Sequence, residues 1–390
     1  MRPEGTMRPE GTRWFRAAIS TVAFAILCPI FNGATFAGED REHEDRERSR
    51  SGAVFTLTNE AASNSVVVFN RSARGTLSRP RHFRTGGRGT GSGLGSQGAI
   101  ALSRNGNWLF AVNAGSNDVS VFSVLGTELR LAHRSSSGGT MPISVTSHRD
   151  LVFVLNAGGD GNIAGFTLTR SGTLRPLPDG VRSLSGPATG PAQISFSPNG
   201  DSLVVTEKNT GLIDLYAVAE DGAVSEAIQV PSNGETPFGF SFTRQGLLIV
   251  SEAFEGREGE SALSSYGLEQ ADVELISGSV PDHQTAACWV AVTRNSRYAY
   301  TTNTGSGSIS GYRVSRCGGL DLLDSDGFTA TTGDGSSPTD LALSSDSLFL
   351  YAVASGTGAI AAFAVNDDGS LTPLGQVGAL PLSVVGLDAR

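Results

Sequence analysis

A unit of short strand-like segments recurs seven times along this chain of 390 residues. In each unit a turn leads into a hydrophobic strand, a polar loop rich in Gly or Asn, and an alternating strand that ends in an aromatic residue. Six copies begin with an inner segment, and the copy that opens the series at Val54 lacks it. The units align on the residue that closes the hydrophobic strand, at intervals of 43 to 54 residues: Asn59, Asn113, Asn156, Glu207, Glu252, Asn303 and Ala354.

The inner segment that the first unit lacks is found at the other end of the chain. Residues 381–387 resemble the inner segments at residues 142–146 and 338–343. The last strand can therefore complete the first unit and close a ring. Repeats of this length, made of four short strands each, are typical of a β-propeller with one blade per repeat. We predict an all-β, seven-bladed β-propeller over residues 53–390, with the C-terminal strand completing blade 1.

The N-terminal part of the chain has a different composition. Arg13 and Arg16 precede an apolar run over residues 17–31, and small residues follow at 33–37. This order predicts a signal peptide over residues 1–37, and hence a periplasmic or secreted protein. The apolar run is too short for a membrane span. Residues 38–52 are dominated by mixed charges, which predict a disordered linker.

Charge and composition exclude several classes of partner and cofactor. The chain has 38 acidic and 29 basic residues, a net charge of −9, and Lys208 is its only lysine. Without a basic stripe, a nucleic-acid partner is not expected. Only five histidines occur, none at ligand spacing with carboxylates, so we expect no metal and no cofactor. We also expect a monomer with no membrane span after signal removal.

Two cysteines follow the predicted signal peptide. Cys288 starts an inner strand, and Cys317 follows the third strand of the same blade. Their Cα atoms should lie farther apart than the roughly 7 Å that a disulfide allows. We therefore expect two thiols rather than a bridge between these residues.

Polar residues recur at one end of the predicted blades. The loop between the second and third strands opens on the same side as the connection that enters the inner strand, so both face one channel mouth. Ligands of closed β-structures commonly bind at such mouths. We predict Glu207 and Glu252 as catalytic residues. The predicted substrate-binding residues are Asn113, Asn156, Gln193, His283, Cys288, Trp289 and Asn303.

Structural roles compete with these assignments. An asparagine at a strand end can simply support the next turn. Glutamate is a poor turn former, so Glu207 and Glu252 are more informative, although Glu207 could instead pair with Lys208 or an arginine. Cys288 could be a small buried hydrophobe and Trp289 a packing residue. A cysteine nucleophile would need an adjacent base, and His283 is the only histidine in the entering connection.

The repeat motifs resemble those of a known family. Residues 197–200 (SPNG), 109–113 (LFAVN) and 298–303 (YAYTTN), each followed by a polar loop and a strand ending in Phe or Tyr, look like the seven-bladed lactonase family. That family includes 6-phosphogluconolactonases and the fungal carboxymuconate cyclase, and the motifs are also similar to YVTN-type repeats. The resemblance covers residues 53–390. It would carry a catalytic histidine to position 192, where this chain has Ala192.

Two functions from different classes follow from these observations. The first is an exported lactonase-like propeller that hydrolyses or binds a small unphosphorylated lactone or sugar acid at the channel mouth. Glu207 or Glu252 would then activate water, and Asn113, Asn156 and Gln193 would hold the substrate. The alternative is a non-catalytic propeller that binds a protein or glycan in the cell envelope, as the absent histidine favours. The sequence leaves open whether the chain is an enzyme.

Overall fold

The computed structural model describes residues 51–269 and 272–390, and these form seven antiparallel sheets arranged as the blades of a propeller. The predicted signal peptide and nearly all of the predicted linker lie outside the described residues, so both stay predictions. Within the described residues, no helix is long and apolar enough to cross a membrane. The expected all-β, seven-bladed architecture is confirmed.

Each blade orders its strands from the central channel outward. Blade 1 consists of β29 (Val385–Ala389), β1 (Gly52–Leu57), β2 (Ser65–Arg71) and β3 (Arg81–Arg84). Blade 2 consists of β4 (Ile100–Leu102), β5 (Trp108–Asn113), β6 (Asp118–Leu125) and β7 (Glu128–Ser136). Blade 3 consists of β8 (Pro142–His148), β9 (Leu151–Asn156), β10 (Asn162–Leu168) and β11 (Leu174–Ser183).

The remaining four blades repeat this order. Blade 4 consists of β12 (Pro191–Phe196), β13 (Ser202–Glu207), β14 (Leu212–Ala217) and β15 (Ile228–Pro231). Blade 5 consists of β16 (Pro237–Phe242), β17 (Leu248–Glu252), β18 (Ala262–Glu269) and β19 (Asp272–Pro281), with a short 3-10 helix at Phe254–Gly256. Blade 6 consists of β20 (Ala287–Val292), β21 (Tyr298–Asn303), β22 (Ser308–Val314) and β23 (Leu320–Leu322), and β24 (Ala330–Thr331) also pairs with β22. Blade 7 consists of β25 (Pro338–Leu343), β26 (Phe349–Ala354), β27 (Ala359–Val365) and β28 (Leu371–Val377).

The C-terminal strand closes the ring as expected, but it begins later than predicted. In the β1–β29 pair, Phe55 lies opposite Asp388 and Val54 opposite Ala389. The Thr56 hydroxyl donates to the Gly386 carbonyl at 2.6 Å. Residues 381–384 form a turn instead of strand, in which Val384 N donates to Pro381 O and Leu382 is 67% exposed. The predicted segment thus contains the closing strand only in its last part.

The core lies between the blades, because each sheet packs both of its faces against neighbouring sheets. The second strand of each blade is consequently buried throughout its middle, as in the fully buried β21 and β26. The aromatic residue predicted near the end of each third strand is buried in every blade; these are Phe69, Phe122, Phe166, Tyr216, Tyr266, Tyr312 and Phe363. Apolar burial of this kind is the main stabilising term of the fold.

The two cysteines have different states. Cys288 is a free thiol in a buried core cluster, as expected. Cys317 is disulfide-bonded, so the expectation of a second thiol was wrong. The distance argument excluded a bridge only between these two residues, and no such bridge forms.

Candidate functional site

The inner strands surround a central cavity of about 320 Å³, here called the channel cavity. All inner strands run in the same direction. Their first residues lie at the loop side, where the connections between blades enter, and their last residues lie at the turn side, where the first and second strands join. Polar side chains that line the cavity include Thr146, Gln193, Ser195, Ser241 and Asp388. The cavity is large enough for a small ligand.

The loop side of the channel, which the sequence predicted as the mouth, is covered by residues 93–98, here called the plug. The plug belongs to the glycine-rich connection between blades 1 and 2. Gln97 donates through Nε2 to Val290 O at 2.9 Å and accepts from Val290 N at 3.1 Å, which joins the plug to blade 6. Trp289 Nε1 donates to Ser96 O at 2.9 Å. A connection between neighbouring blades therefore crosses the channel.

Blades 3, 4 and 5 also contact the plug. Gln97 N donates to Ala192 O at 3.0 Å, and the Ser96 hydroxyl donates to Ile143 O at 2.9 Å. At Gly239 in blade 5, an added Cβ would lie 2.3 Å from Gln97 Oε1 and 2.5 Å from Cys288 O. Only glycine fits there. Ala192, which stands where the family resemblance would place a histidine, thus lies under the plug.

The turn side of the channel is more accessible. Along β8 the burial changes from buried at Pro142–Val145 to half-buried at Thr146–His148, and β16 and β25 show a similar change at their last two residues. Because exposure increases towards the ends of the inner strands, the channel cavity communicates with solvent on the turn side.

The polar residues that close the second strands are all buried at the blade ends. Asn113, Asn156, Glu207, Glu252 and Asn303 have no exposed surface. Asn113 Oδ1 accepts from Thr85 Oγ1 at 2.7 Å, and Asn156 Nδ2 donates to Ser137 O at 3.1 Å. These partners belong to the connections that enter the same blades. The structure therefore gives both asparagines the role of fastening a connection to its blade.

Asn303 makes its contacts within its own blade. Its Nδ2 donates to the hydroxyls of Ser308 and Ser310 at 3.1 and 2.8 Å. Its Oδ1 accepts no hydrogen bond from a described residue. None of the three asparagines lines the channel cavity, and their predicted role in substrate binding stays a prediction.

Glu207 is held by the connection into blade 4. Its carboxylate accepts hydrogen bonds from Ser185 N at 3.0 Å, from the Ser185 hydroxyl, and from the Thr210 hydroxyl at 2.6 Å. The alternative reading, in which Glu207 pairs with Lys208, is not observed, because the Lys208 ammonium donates to the carbonyls of Gly95 and Pro191.

Glu252 occupies the equivalent position in blade 5 and is held in the same way. Its carboxylate accepts from Gly234 N at 2.8 Å and from the hydroxyls of Ser264 and Ser279 at 2.5 and 2.6 Å. Charge-assisted bonds of this kind satisfy a buried carboxylate. Both glutamates thus fasten a connection, and their predicted catalytic role stays a prediction.

Asp214 on β14 is a second carboxyl group next to Glu207. It is fully buried, and neither of its carboxylate oxygens accepts a hydrogen bond from a described donor. Burial raises the pKa of Asp214 to about 8, and the Glu207 charge adds to the rise. A protonated Asp214 can donate to Glu207, so the two carboxyl groups can share a proton at neutral pH.

The remaining predicted residues divide between the core and the surface. Cys288 is buried, and burial raises the pKa of its thiol to about 12. Trp289 packs on Phe238 with ring centroids 5.0 Å apart. Gln193 lines the channel cavity, and its Oε1 accepts from Phe240 N at 2.7 Å. His283 is exposed in the connection before β20. The predicted set is therefore not assembled around one pocket.

Lys208 lies on the plug. Its ammonium donates to Gly95 O at 2.5 Å and to Pro191 O at 3.3 Å, and it lies 4.6 Å from the centroid of the Phe238 ring. Burial lowers the pKa of Lys208 to about 8. The only lysine of the chain therefore fastens the plug and is partly neutral at mildly alkaline pH.

Asp388 is the carboxylate that lines the channel cavity, and the sequence interpretation did not identify it. Its oxygens accept from Leu102 N and Ala389 N, each at 2.7 Å. Burial raises the pKa of Asp388 to about 6. A second carboxyl group, Asp340 on the neighbouring inner strand, is buried, and burial raises its pKa well above the ordinary value. The only sequence signal was an aspartate within an otherwise apolar inner strand.

Among the described residues, no group of three or more His, Cys, Asp or Glu side chains is arranged to hold a metal ion. Asp388 instead shares the channel cavity with amide groups, hydroxyl groups and a larger number of apolar residues. A carboxylate with a pKa near 6 in such a cavity can accept a proton from a polarised water at neutral pH.

Comparisons with known proteins agree with the fold. The family model described as "Lactonase, 7-bladed beta-propeller" matches residues 47–177 and 160–255. A proposed 6-phosphogluconolactonase from Bacteroides uniformis is similar in structure, with a TM-score of 0.67 and 17% identity over 86% of this chain and 99% of that one. A periplasmic gluconolactonase from Pseudomonas aeruginosa gives a TM-score of 0.69 and 16% identity over 87% of this chain and 98% of that one. A comparison with proteins of curated function finds no match.

Proposed function

Because this chain belongs to the seven-bladed β-propeller lactonase family, we propose that it binds and hydrolyses a small unphosphorylated lactone in its central channel. The observation that carries the proposal is the lining of the channel cavity: a carboxylate, amides and hydroxyls, set among apolar residues, around about 320 Å³. These groups suit a polyhydroxylated ring. Neither arginine nor lysine is among the lining residues, so a phosphate inside the cavity would lack a counter-charge.

The reaction requires a base and donors for the developing oxyanion. Water attacks the lactone carbonyl, and Asp388 accepts the proton from the water as the new C–O bond forms. The Ser241 hydroxyl, which lines the same cavity, is available to stabilise the oxyanion, whereas the Ser195 hydroxyl, which lines it as well, donates to Phe196 O at 3.3 Å. The ring ester bond then breaks, and the proton passes from Asp388 to the leaving ring oxygen. The product is a hydroxy acid, which is ionised at neutral pH.

Glu207 and Glu252 remain the alternative candidates for the base. Each carboxylate already accepts three hydrogen bonds within its blade, and neither glutamate lines the channel cavity. A base must come within hydrogen-bond reach of the attacking water. Either glutamate would therefore have to release its structural partners before it could act.

The test is a comparison of four proteins on a panel of aldonolactones and acyl lactones at pH 7.5. Wild type should hydrolyse at least one lactone faster than buffer. Asp388→Asn should lower the rate by about 100-fold, in the range of general-base contributions. Glu207→Gln and Glu252→Gln should retain most activity once folding is verified. Equal rates for wild type, Asp388→Asn and buffer on every lactone would refute the proposal.

The cellular location is part of the proposal. The composition of residues 1–37 supports export to the periplasm or beyond. Fusion of residues 1–52 to a reporter enzyme that is active only outside the cytoplasm tests this. Activity should be lost when the apolar run is interrupted by two arginines. A reporter that stays inactive with the intact segment would contradict export.

A non-catalytic binding propeller is the second candidate. The hydrogen bonds that occupy both predicted catalytic glutamates favour it, as does Ala192 at the position of the family histidine. In that case the purified protein would bind an envelope protein or glycan and hydrolyse no lactone. Isothermal titration with isolated envelope glycans, in parallel with the hydrolysis panel, distinguishes the two functions.

A further inference from the structure

Five arginines surround the turn side of the channel. Arg104, Arg149, Arg244 and Arg294 lie in the turns that follow the inner strands of blades 2, 3, 5 and 6, and Arg390 follows β29 of blade 1. They are here called the arginine rim. In a chain with a net charge of −9, this places a recurrent positive charge where the channel cavity opens to solvent.

The turns that present the rim are joined to one another. Arg244 N donates to the Ser296 hydroxyl at 2.8 Å, and Arg294 N donates to the Ser347 hydroxyl at 2.9 Å. The Arg390 guanidinium donates to Gly106 O at 3.1 Å. These contacts tie blade 5 to 6, blade 6 to 7 and blade 1 to 2, so the rim is held by a connected set of turns.

Among the described residues, the guanidinium groups of Arg149, Arg244 and Arg294 make no hydrogen bond, whereas Arg104 donates to Pro198 O at 3.2 Å and Arg390 donates to Gly106 O. Arg104, Arg149, Arg244 and Arg294 are exposed, and none of the five forms an ion pair within 4.0 Å with a carboxylate of the described residues. Three carboxylates share these turns, at Asp150, Asp201 and Asp346. Asp201 and Asp346 accept hydrogen bonds from the hydroxyls of Ser197 and Ser344 in their own turns. Arg297 also lies in the turn of blade 6, where its guanidinium packs on the Tyr298 ring, so the turns and the chain end carry six arginines against these three aspartates.

A cleft adds to the rim between blades 6, 7, 1 and 2. It has a volume of about 370 Å³, and Arg294 and Arg390 line it together with Asp346 and with Arg71, whose guanidinium already donates to Arg390 O at 3.1 Å. Several guanidinium groups around one concave site can bind a carboxylate through paired N–H donors. The cleft is large enough for one sugar unit.

The charge of the channel differs between its interior and its turn side. Asp388 supplies a carboxylate inside the cavity, and the rim arginines lie in the turns and chain end that follow the inner strands, on the side where the cavity opens. A ligand that carries one carboxylate on a polyhydroxylated body would be repelled by Asp388 at its charged end and attracted by the rim. Its hydroxyls would face the amides and hydroxyls of the cavity. The plug blocks the opposite route.

We infer that the arginine rim is a binding site for carboxylate-bearing sugars, and that ligands enter and leave the channel on the turn side. This inference rests in part on the proposed function, since ring opening of a neutral lactone in the cavity would generate such an anion. The rim would then draw the product carboxylate outwards.

The experiment measures binding by isothermal titration of the full chain with gluconate and with glucitol, which has the same hydroxylated body without the carboxylate. Gluconate should bind at least tenfold more tightly at 20 mM salt, and its affinity should fall several-fold at 500 mM salt because ions screen exposed charges. Equal binding of the two ligands, or no binding of gluconate, would overturn the inference.

The Arg244→Gln/Arg294→Gln double variant should weaken gluconate binding by about tenfold. Arg316→Gln is the matched control, because Arg316 is exposed on the outer hairpin of blade 6. An equal loss in the control, or no loss in the double variant, would overturn the inference.

Hydrolysis of a neutral lactone by the same proteins separates the two ideas. Arginine-dependent gluconate binding without hydrolysis would support the rim site and refute the lactonase activity. If the protein hydrolyses a lactone and the rim variants bind gluconate as wild type does, the lactonase activity would be supported and the rim site refuted.

Discussion

The side-chain amide of Gln97 pairs with the backbone of Val290 across the channel, through one hydrogen bond of 2.9 Å and one of 3.1 Å. These residues come from the connection into blade 2 and from the inner strand of blade 6. The pair works as a strand-like bridge between two parts of the ring that are not neighbours. It explains why the loop side of the channel is closed, and it makes the plug a defined target for mutation.

Loss of this bridge should open the loop side of the channel. Gln97→Ala removes both hydrogen bonds and leaves the Val290 backbone groups without partners, at a cost of roughly 1–3 kcal/mol in the free energy of unfolding. Labelling of the free, buried Cys288 by an aromatic disulfide reagent should become faster under native conditions. Gln245→Ala is the control, because Gln245 is exposed in a turn. Labelling of Gln97→Ala at the wild-type rate would contradict the plug.

The pH dependence of lactone hydrolysis should report Asp388. Its raised pKa of about 6 means that the carboxylate form needed for a base accumulates as the pH rises through 6. We expect kcat/KM to increase between pH 5 and 7 and then to level off. The Asp388→Asn variant should lack this increase. A wild-type profile with its midpoint near 4 would assign the base to another carboxylate.

The stability of the protein should depend on pH through Asp214. The pKa of Asp214 is about 8 in the folded state against about 4 in the unfolded chain, so the folded state binds the additional proton between these values. The stabilising contribution of Asp214 to the free energy of unfolding is therefore fully present below pH 4 and is lost as the pH rises towards 8.

Asp214→Asn should remove that part of the pH dependence. At pH 9 it should raise the free energy of unfolding by on the order of 2 kcal/mol, because a buried charge is replaced by a neutral amide. Urea unfolding of wild type and variant at pH 5, 7 and 9 measures this. Asp201→Asn is a control at an exposed aspartate. If the free energy of unfolding changes with pH in the same way for wild type and Asp214→Asn, the raised pKa of Asp214 would be excluded.

Lys208 should react with amine reagents at an unusually low pH. Burial lowers its pKa to about 8, so half of the amines are neutral there, whereas an ordinary lysine reaches that point above pH 10. Reductive methylation followed by peptide mapping should give a rate profile with its midpoint near 8. The unfolded protein serves as the internal control, and its midpoint should move above 10. Identical profiles in both states would contradict the buried environment.

Closure of the ring depends on Gly386, which has a φ of +70° in β29. An added Cβ there would lie 3.0 Å from Ile100 N and 3.0 Å from a methyl carbon of Ile100. Gly386→Ala should therefore combine backbone strain with crowding between blades 1 and 2, and lower the free energy of unfolding by roughly 2–4 kcal/mol. Gly126→Ala has a similar φ of +61° with no atom within 4 Å, so it should show the strain alone. Equal losses of stability in Gly386→Ala and Gly126→Ala would show that crowding between blades 1 and 2 adds no cost.

The repeats predicted the fold closely and the site poorly, for different physical reasons. A second strand such as β26 is buried on both faces, so its apolar residues and its position in the period are visible in the chain. The residues that close those strands look equivalent to one another in the sequence because they occupy the same position in the period. Their burial and their hydrogen bonds to incoming connections depend on the neighbouring loops, which the repeat does not describe. Glu207 and Glu252 were therefore recognised as exceptional without their surroundings being predicted.

The amino-acid sequence by itself determined the number of blades, the aromatic residue of each third strand and the closure by the C-terminal strand, because these follow from period, alternation and local propensity. Only the tertiary structure decided which side of the channel is open. Closure of the loop side comes from the contacts of Gln97 with Val290 and of Ser96 with Trp289, each between residues 193 positions apart. No periodic pattern encodes which partners a glycine-rich connection will find across a channel. Because these contacts close the loop side, the candidate site is the cavity lined by Asp388 and not the predicted mouth.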